Sequence, residues 1–149
     1  MAVGASAPSA SELTGLAELT EARKPKLLVI DDDPVHRMVI GKVGDKAGYS
    51  IISASSADEA ITKIKQQKYD CISLDLSLGG INGATLLNDI AEHNRDAMLI
   101  VISGAAAAAR EDTLVHALKL RLNVVEAPKP VDLADLRGKL QLHAAINRP

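Results

Sequence analysis

Five short apolar runs, each followed by a segment of helical periodicity, constrain this chain more than any other feature. They are LLVI at 27–30, YSIISA at 49–54, CISLDL at 71–76, MLIVIS at 98–103 and NVVEAP at 123–128. Runs of this kind, rich in β-branched residues and bounded by turn signals, read as strands buried on both faces. The segments between them carry helix starts. Asp33-Pro34 is an N-cap followed by proline at the first helical position, and SADE at 56–59 is a capping box ahead of AITKIKQQ. Asn82-Gly83 opens ATLLNDIAEH, the alanine run 105–109 leads into REDTLVHALKL, and Asp132 caps LADLRGKLQLHAA. Strands alternating with helices predict an α/β fold, a doubly wound five-stranded parallel sheet with helices on both faces. Residues 26–146 make up that domain. Residues 1–25 form an N-terminal extension, flexible or a short helix in which Leu13, Leu16 and Ala17 can share one face.

In an open parallel sheet the functional crevice lies at the carboxyl ends of the strands, where strand order reverses. The residues at those ends are Asp31 and Asp32, Asp75, Ser103 and Lys129. Clustered carboxylates resist joint ionisation unless a cation compensates, and a small set of hard oxygen ligands suits Mg²⁺. Asp75, at the end of the central strand, has the chemistry of both a metal ligand and a nucleophile that forms an acyl phosphate. Phosphoryl transfer requires mainly positioning and charge neutralisation, which a metal ion, the Lys129 ammonium and the Ser103 hydroxyl can supply from three sides.

Over residues 26 to 146 the chain resembles the receiver domain of response regulators in bacterial two-component signalling. LLVIDDDP, YDCISLDLSLGGINGATLL, MLIVISG and APKPVDLADL carry the resemblance, in the family's order and spacing. It implies a flavodoxin-like sheet of order 2-1-3-4-5. It also implies that Asp31, Asp32, Asp75 and the backbone carbonyl of Ser77 surround Mg²⁺, with Asp31 acting partly through water. Asp75 would be phosphorylated by a sensor histidine kinase or a histidine phosphotransfer protein, and Ser103 and Lys129 would sense the phosphoryl group.

The chain departs from the family pattern at named positions. Gly79, followed by Gly80, stands where a proline is usual, which predicts a looser loop after the third strand. Glu126 replaces the usual aromatic three residues before the lysine, and Leu122-Asn123 replaces a small Gly-Ala pair. Taking an unpaired carboxylate into the space an aromatic would fill costs several kcal/mol. Glu126 is therefore expected on the surface as part of a partner contact. The switch then falls to Ser103, Gly104 and the alanine-rich loop. Asp33 is read as a helix cap outside the metal set, and Cys71 as a packed thiol in the third strand. His36, His93, His116 and His143 lack metal-ligand spacing and are read as surface or boundary residues.

Composition narrows the partners. With no Phe, no Trp, two Tyr and a formal net charge of −2, the chain lacks the basic, aromatic footprint of a nucleic-acid binder. The single Cys71 excludes an intramolecular disulfide and fits a reducing compartment. MAVGASAPSA lacks the basic start and the apolar stretch expected of a secretory signal, and no run nears the roughly 20 apolar residues of a membrane span. The expectation is a soluble cytoplasmic protein without a membrane partner, with its downstream protein target unidentified and a homodimer left open. Three functions compete: a stand-alone phosphoacceptor, or phosphorelay element, that contacts another protein; a degenerate receiver that binds a partner without phosphorylation; and a phosphohydrolase with an aspartyl-phosphate intermediate. The third needs a general acid two residues after the nucleophile, where this chain has Ser77.

Overall fold

The computed structural model describes residues 9–10, 24–77, 86–104 and 107–146. Among them lie five strands and five helices, strictly alternating. The strands are β1 (Lys26–Ile30), β2 (Ser50–Ala54), β3 (Cys71–Asp75), β4 (Met98–Ser103) and β5 (Asn123–Pro128). The helices are α1 (Pro34–Lys46), α2 (Ala57–Gln66), α3 (Leu86–His93), α4 (Ala107–Lys119) and α5 (Leu133–Ile146). The sheet is parallel, with order β2-β1-β3-β4-β5. The expected fold is therefore present. The tail helix through Leu13, Leu16 and Ala17, the loop with Gly79 and Gly80, and the helix start at Asn82-Gly83 lie outside the described residues.

Strand alternation sorts the apolar side chains into two cores. Leu28 and Ile30 of β1 join Ile72, Leu74, Leu99 and Val101 on one face, which residues of α2 and α3 cover. Leu27 and Val29 join Cys71, Ile100 and Ile102 on the other, against Ile40 and Val43 of α1 and Leu136 and Leu140 of α5. Because both faces are covered, the strands read as unbroken apolar runs instead of alternating ones. Cys71 is fully buried, and its thiol donates to the Tyr49 hydroxyl, which donates in turn to the Leu140 carbonyl at 2.8 Å.

The caps behave as their sequences require. Asp33 Oδ1 accepts from the amides of Val35 and His36 at 2.9 and 3.3 Å, with Pro34 opening α1. Ser56 Oγ accepts from Glu59 N at 3.1 Å. The reciprocal half of that capping box falls one residue earlier, because Glu59 bonds the amide and hydroxyl of Ser55. Beyond α1 and its C-cap Ala47 stands Gly48, whose φ of +96° is the left-handed geometry that glycine adopts at little cost. Tyr49, expected at the start of β2, closes that cap by donating its amide to Gly44 O. After α4 the left-handed position holds Arg121 (φ +60°), and Leu122 beside it is buried in the first core.

Asn94 ties the turn after α3 to the last turn of α2 and the segment between α2 and β3. Its Oδ1 accepts from Tyr69 N at 2.7 Å, and its Nδ2 donates to the carbonyls of Ile64 and Gln67 at 2.8 and 3.1 Å. The side chain is buried, so truncation strands a buried amide away from water. Asn94→Ala should lower unfolding free energy by about 2–4 kcal/mol, as much as a large core truncation. Chemical denaturation with an unchanged m-value is the measurement, and a loss below about 0.5 kcal/mol would refute this assignment.

Candidate functional site

The site sits at the carboxyl end of the sheet, above the β1–β3 boundary. The chain leaves β1 toward β2 on one side and reaches β3 on the other, so the crevice opens between them. Asp31 follows β1 and is 1 % exposed; Asp75 ends β3 and is 2 % exposed. Two buried carboxylates this close require hydrogen bonds and opposite charge.

Each oxygen of Asp75 has a partner. Oδ2 accepts from Lys129 Nζ at 2.8 Å, and Oδ1 accepts from the amide and hydroxyl of Ser77 at 2.9 and 2.7 Å. Lys129 also lies 3.4 Å from Ser77 Oγ. Burial pushes the Asp75 carboxyl up, but the hydrogen bonds from Lys129 and Ser77 together outweigh it, and the group is held below the usual carboxylate range. Asp75 therefore carries its charge, and with it a nucleophilic lone pair.

Asp31 is anchored differently. Its Oδ1 accepts from Asp33 N at 2.9 Å, and its backbone carbonyl accepts from Arg37 Nη1 at 2.8 Å. Its Oδ2 meets His36 Nδ1, and that ring nitrogen also lies 3.9 Å from Asp75 Oδ2. His36 is the functional candidate that sequence spacing missed. It occupies the third position of α1, and helical side chains tilt toward the N-terminus, which here means toward the ends of β1 and β3.

The other expected residues are distributed around this centre. Asp32 is exposed, and it lies outside the set of Asp31, His36 and Asp75 whose donor atoms are all within 4.8 Å of one another. Ser103 is buried at the end of β4, and its carbonyl accepts from Lys129 N at 3.0 Å. A Cβ on Gly104 would sit 3.2 Å from Lys129 Cδ, so glycine there lets the backbone run close beside the lysine stem. Glu126 is half-buried on β5, opposite Val101. The donors fit a hard divalent cation: two buried carboxylates converge, and Asp32 adds charge at the rim.

The structure is thus a doubly wound sheet with an ionised aspartate, an acidic neighbour and a lysine at its switch point. Residues 27–141 match the response regulator receiver domain, and the chain belongs to that family. Receiver domains are signalling modules of two-component systems and commonly bind Mg²⁺ at an acidic site. The chain is 28 % identical over 95 residues to the chemotaxis protein CheY of Thermotoga maritima, covering 63 % of this chain and 77 % of that one. It is 28 % identical over 75 residues to the sensory/regulatory protein RpfC of Xanthomonas campestris, covering 50 % of this chain but only 10 % of RpfC. It resembles the structure of a Clostridium difficile two-component response regulator, with a TM-score of 0.71 and 26 % identity, covering 83 % of this chain and 99 % of that one. The receiver domain of a Pseudomonas aeruginosa sensor histidine kinase, with magnesium in its cleft, shares the fold at a TM-score of 0.68 and 23 % identity, covering 82 % and 98 %. No helix among the described residues is long and apolar enough to cross a membrane.

The Asp75–Lys129 pair makes a pH prediction. A carboxyl lowered on folding contributes stability that is fully present above its unfolded value of about 3.9 and is lost as pH falls through the folded value. Lys129→Met removes the chief downward influence and leaves burial opposed only by the Ser77 hydrogen bonds. The Asp75 carboxyl should then titrate higher by carbon-13 NMR. Lys129 is about one-third exposed, so the neutral-pH stability loss should stay near 1–3 kcal/mol. An unmoved titration would show that the pair does not govern Asp75.

Proposed function

We propose that this receiver is a phosphoacceptor that takes a phosphoryl group from a phosphohistidine donor onto Asp75. One observation carries the reading: Asp75 is buried, ionised and held by Lys129 and Ser77 at the mouth of the β1–β3 crevice. A carboxylate oxygen of Asp75 attacks phosphorus, the phosphorus–nitrogen bond to the donor imidazole breaks, and an acyl phosphate forms. Lys129 Nζ then follows the negative charge from the carboxylate to the phosphoryl oxygens, and the Ser103 hydroxyl reaches it from β4. Asp31, Asp32, Asp75 and the Ser77 backbone carbonyl would hold Mg²⁺, which when bound offsets the charge of the phosphoryl oxygens.

On this reading residues 26–146 are the working domain and act in the cytoplasm. A sensor histidine kinase or a histidine phosphotransfer protein supplies the phosphoryl group, and an unidentified protein reads the result. The domain passes its signal by contact or relay. Glu126 belongs to the contact surface, and the movable parts among the described residues are Ser103 and Gly104; the start of the alanine-rich loop lies outside them.

Incubation with Mg²⁺ and a small acyl phosphate, followed by intact mass, should add one phosphoryl group. Asp75→Asn should abolish the addition, and chelation should suppress it. A wild-type chain that stays unmodified with both the small donor and a phosphohistidine protein would establish the phosphorylation-independent binding module instead. Glu126→Ala should leave the mass shift near wild type while weakening partner binding or altering self-association. Equal loss of both would place Glu126 in support of the site itself.

A further inference from the structure

We propose that His36 is a protein ligand of the metal at this site, giving it a nitrogen donor and a preference for a divalent transition ion over Mg²⁺. The inference rests on the metal-dependent phosphoacceptor reading above and adds to it the identity of a ligand and the class of ion. Asp31, His36 and Asp75 come from β1, α1 and β3, and one donor atom of each lies within 4.8 Å of the others. Two donors on one ion with bonds of about 2.1 Å lie about 3 Å apart when adjacent and about 4.2 Å apart when opposite. The 3.9 Å from His36 Nδ1 to Asp75 Oδ2 falls inside that span, whereas His36 Nδ1 and Asp31 Oδ2 stand closer than two ligands of one ion and must part to admit it.

The ring is presented by the backbone and is not a chance neighbour. Asp33 caps α1 by accepting the amide of His36 itself, and Pro34 starts the helix, so the third helical position is held in place. Arg37, the next residue, holds the Asp31 carbonyl at 2.8 Å. One short helix start thus locks both the carboxylate and the imidazole that face each other. An ion held between them takes the place of the proton between Nδ1 and Asp31 Oδ2, and the ring's remaining proton sits on Nε2.

Imidazole changes which ions the site favours. Carboxylate, carbonyl and water suit Mg²⁺ and Mn²⁺, whereas imidazole adds affinity for ions later in the first transition row, and Mg²⁺ gains least from nitrogen. His36 would join Asp31, Asp32, Asp75 and the Ser77 carbonyl, some of them through water, with a position left for a phosphoryl oxygen. The expected site is therefore mixed, N and O, with Co²⁺ favoured over Mg²⁺ by more than an all-oxygen site allows.

The test uses the whole chain with metal ions alone. Dissociation constants for Co²⁺ and Mg²⁺ are measured by competition in wild type, His36→Ala and His36→Asn. Loss of His36 should reduce the Co²⁺ preference by at least about 10-fold while Mg²⁺ affinity changes by less than about 3-fold. Pulsed electron paramagnetic resonance of the Mn²⁺-loaded chain should show nitrogen-14 modulation that disappears in both variants. The sequence holds four histidines, so a chain with His93, His116 and His143 all changed to Gln retains His36 alone. It must keep the modulation, which also tests the idea if the His36 variants fold poorly. Modulation absent from that chain, or an unchanged Co²⁺ to Mg²⁺ ratio in folded His36 variants, overturns the proposal. Phosphorylation of Asp75 is followed in parallel. Labelling with an unchanged ratio overturns only the His36 ligand, whereas nitrogen coupling without labelling overturns only the phosphoacceptor reading.

Discussion

Burying two carboxylates at one end of a parallel sheet is the constraint on which the rest of this structure turns. Asp31 and Asp75 are almost fully removed from water, at the carboxyl ends of strands that are direct neighbours. Without compensation, each charge would lose hydration and repel the other. Lys129 compensates Asp75 from the end of β5, and Ser77 supplies two further donors from the turn after β3. His36 and the Asp33 amide hold Asp31 from the start of α1. The pattern of charge therefore demands that β1, β3, β5 and α1 reach the same end together.

The order β2-β1-β3-β4-β5 meets that demand. It places the two acidic strands side by side, keeps β4 and β5 on the flank that delivers Ser103 and Lys129, and leaves the crevice where the winding reverses. The central strands β1, β3 and β4 are mostly apolar up to this end, with Ser73 the buried exception in β3, so the charged chemistry lies at one rim. Leu76 N still donates to Ile102 O at 3.0 Å, just beyond Asp75. The nucleophile is thus fastened to the sheet ladder on one side and to a hydrogen-bonded turn on the other.

The fold was legible because both of its periodicities are clean: unbroken apolar runs for strands buried on two faces, and capped amphipathic segments between them. Asp31, Asp75, Ser103 and Lys129 were legible for the same reason, since a strand end is a position sequence can locate. The place of His36 beside the two carboxylates was not, because it depends on the direction of a side chain on the first turn of a helix. Spacing among the four histidines carries no such information. The signal that could have found it is the cap: once Asp33 opens α1, the third helical residue tilts back over the strand ends. Arg121 was missed for a related reason, since the left-handed geometry after α4 is imposed by Leu122 entering the core, and local propensity would have asked for glycine.

The same hydrogen bonds that settle the carboxylates connect the site to the surface on the proposed reading. Lys129 cannot follow a phosphoryl group without moving its stem, and that stem lies against Gly104, where a Cβ would already stand 3.2 Å from Lys129 Cδ. The Lys129 amide is bonded to the Ser103 carbonyl, so β4 and β5 share the displacement at their ends. An aromatic switch needs a cavity on β5 to turn into, whereas Glu126 is half-buried opposite Val101 and keeps a carboxylate near water. Motion that begins at Lys129 then has its least-hindered outlet through Gly104, the residue without a side chain. A charge relocated by one bond length at Asp75 would in this way become a backbone shift after β4, carried by packed atoms and not by a rotating ring.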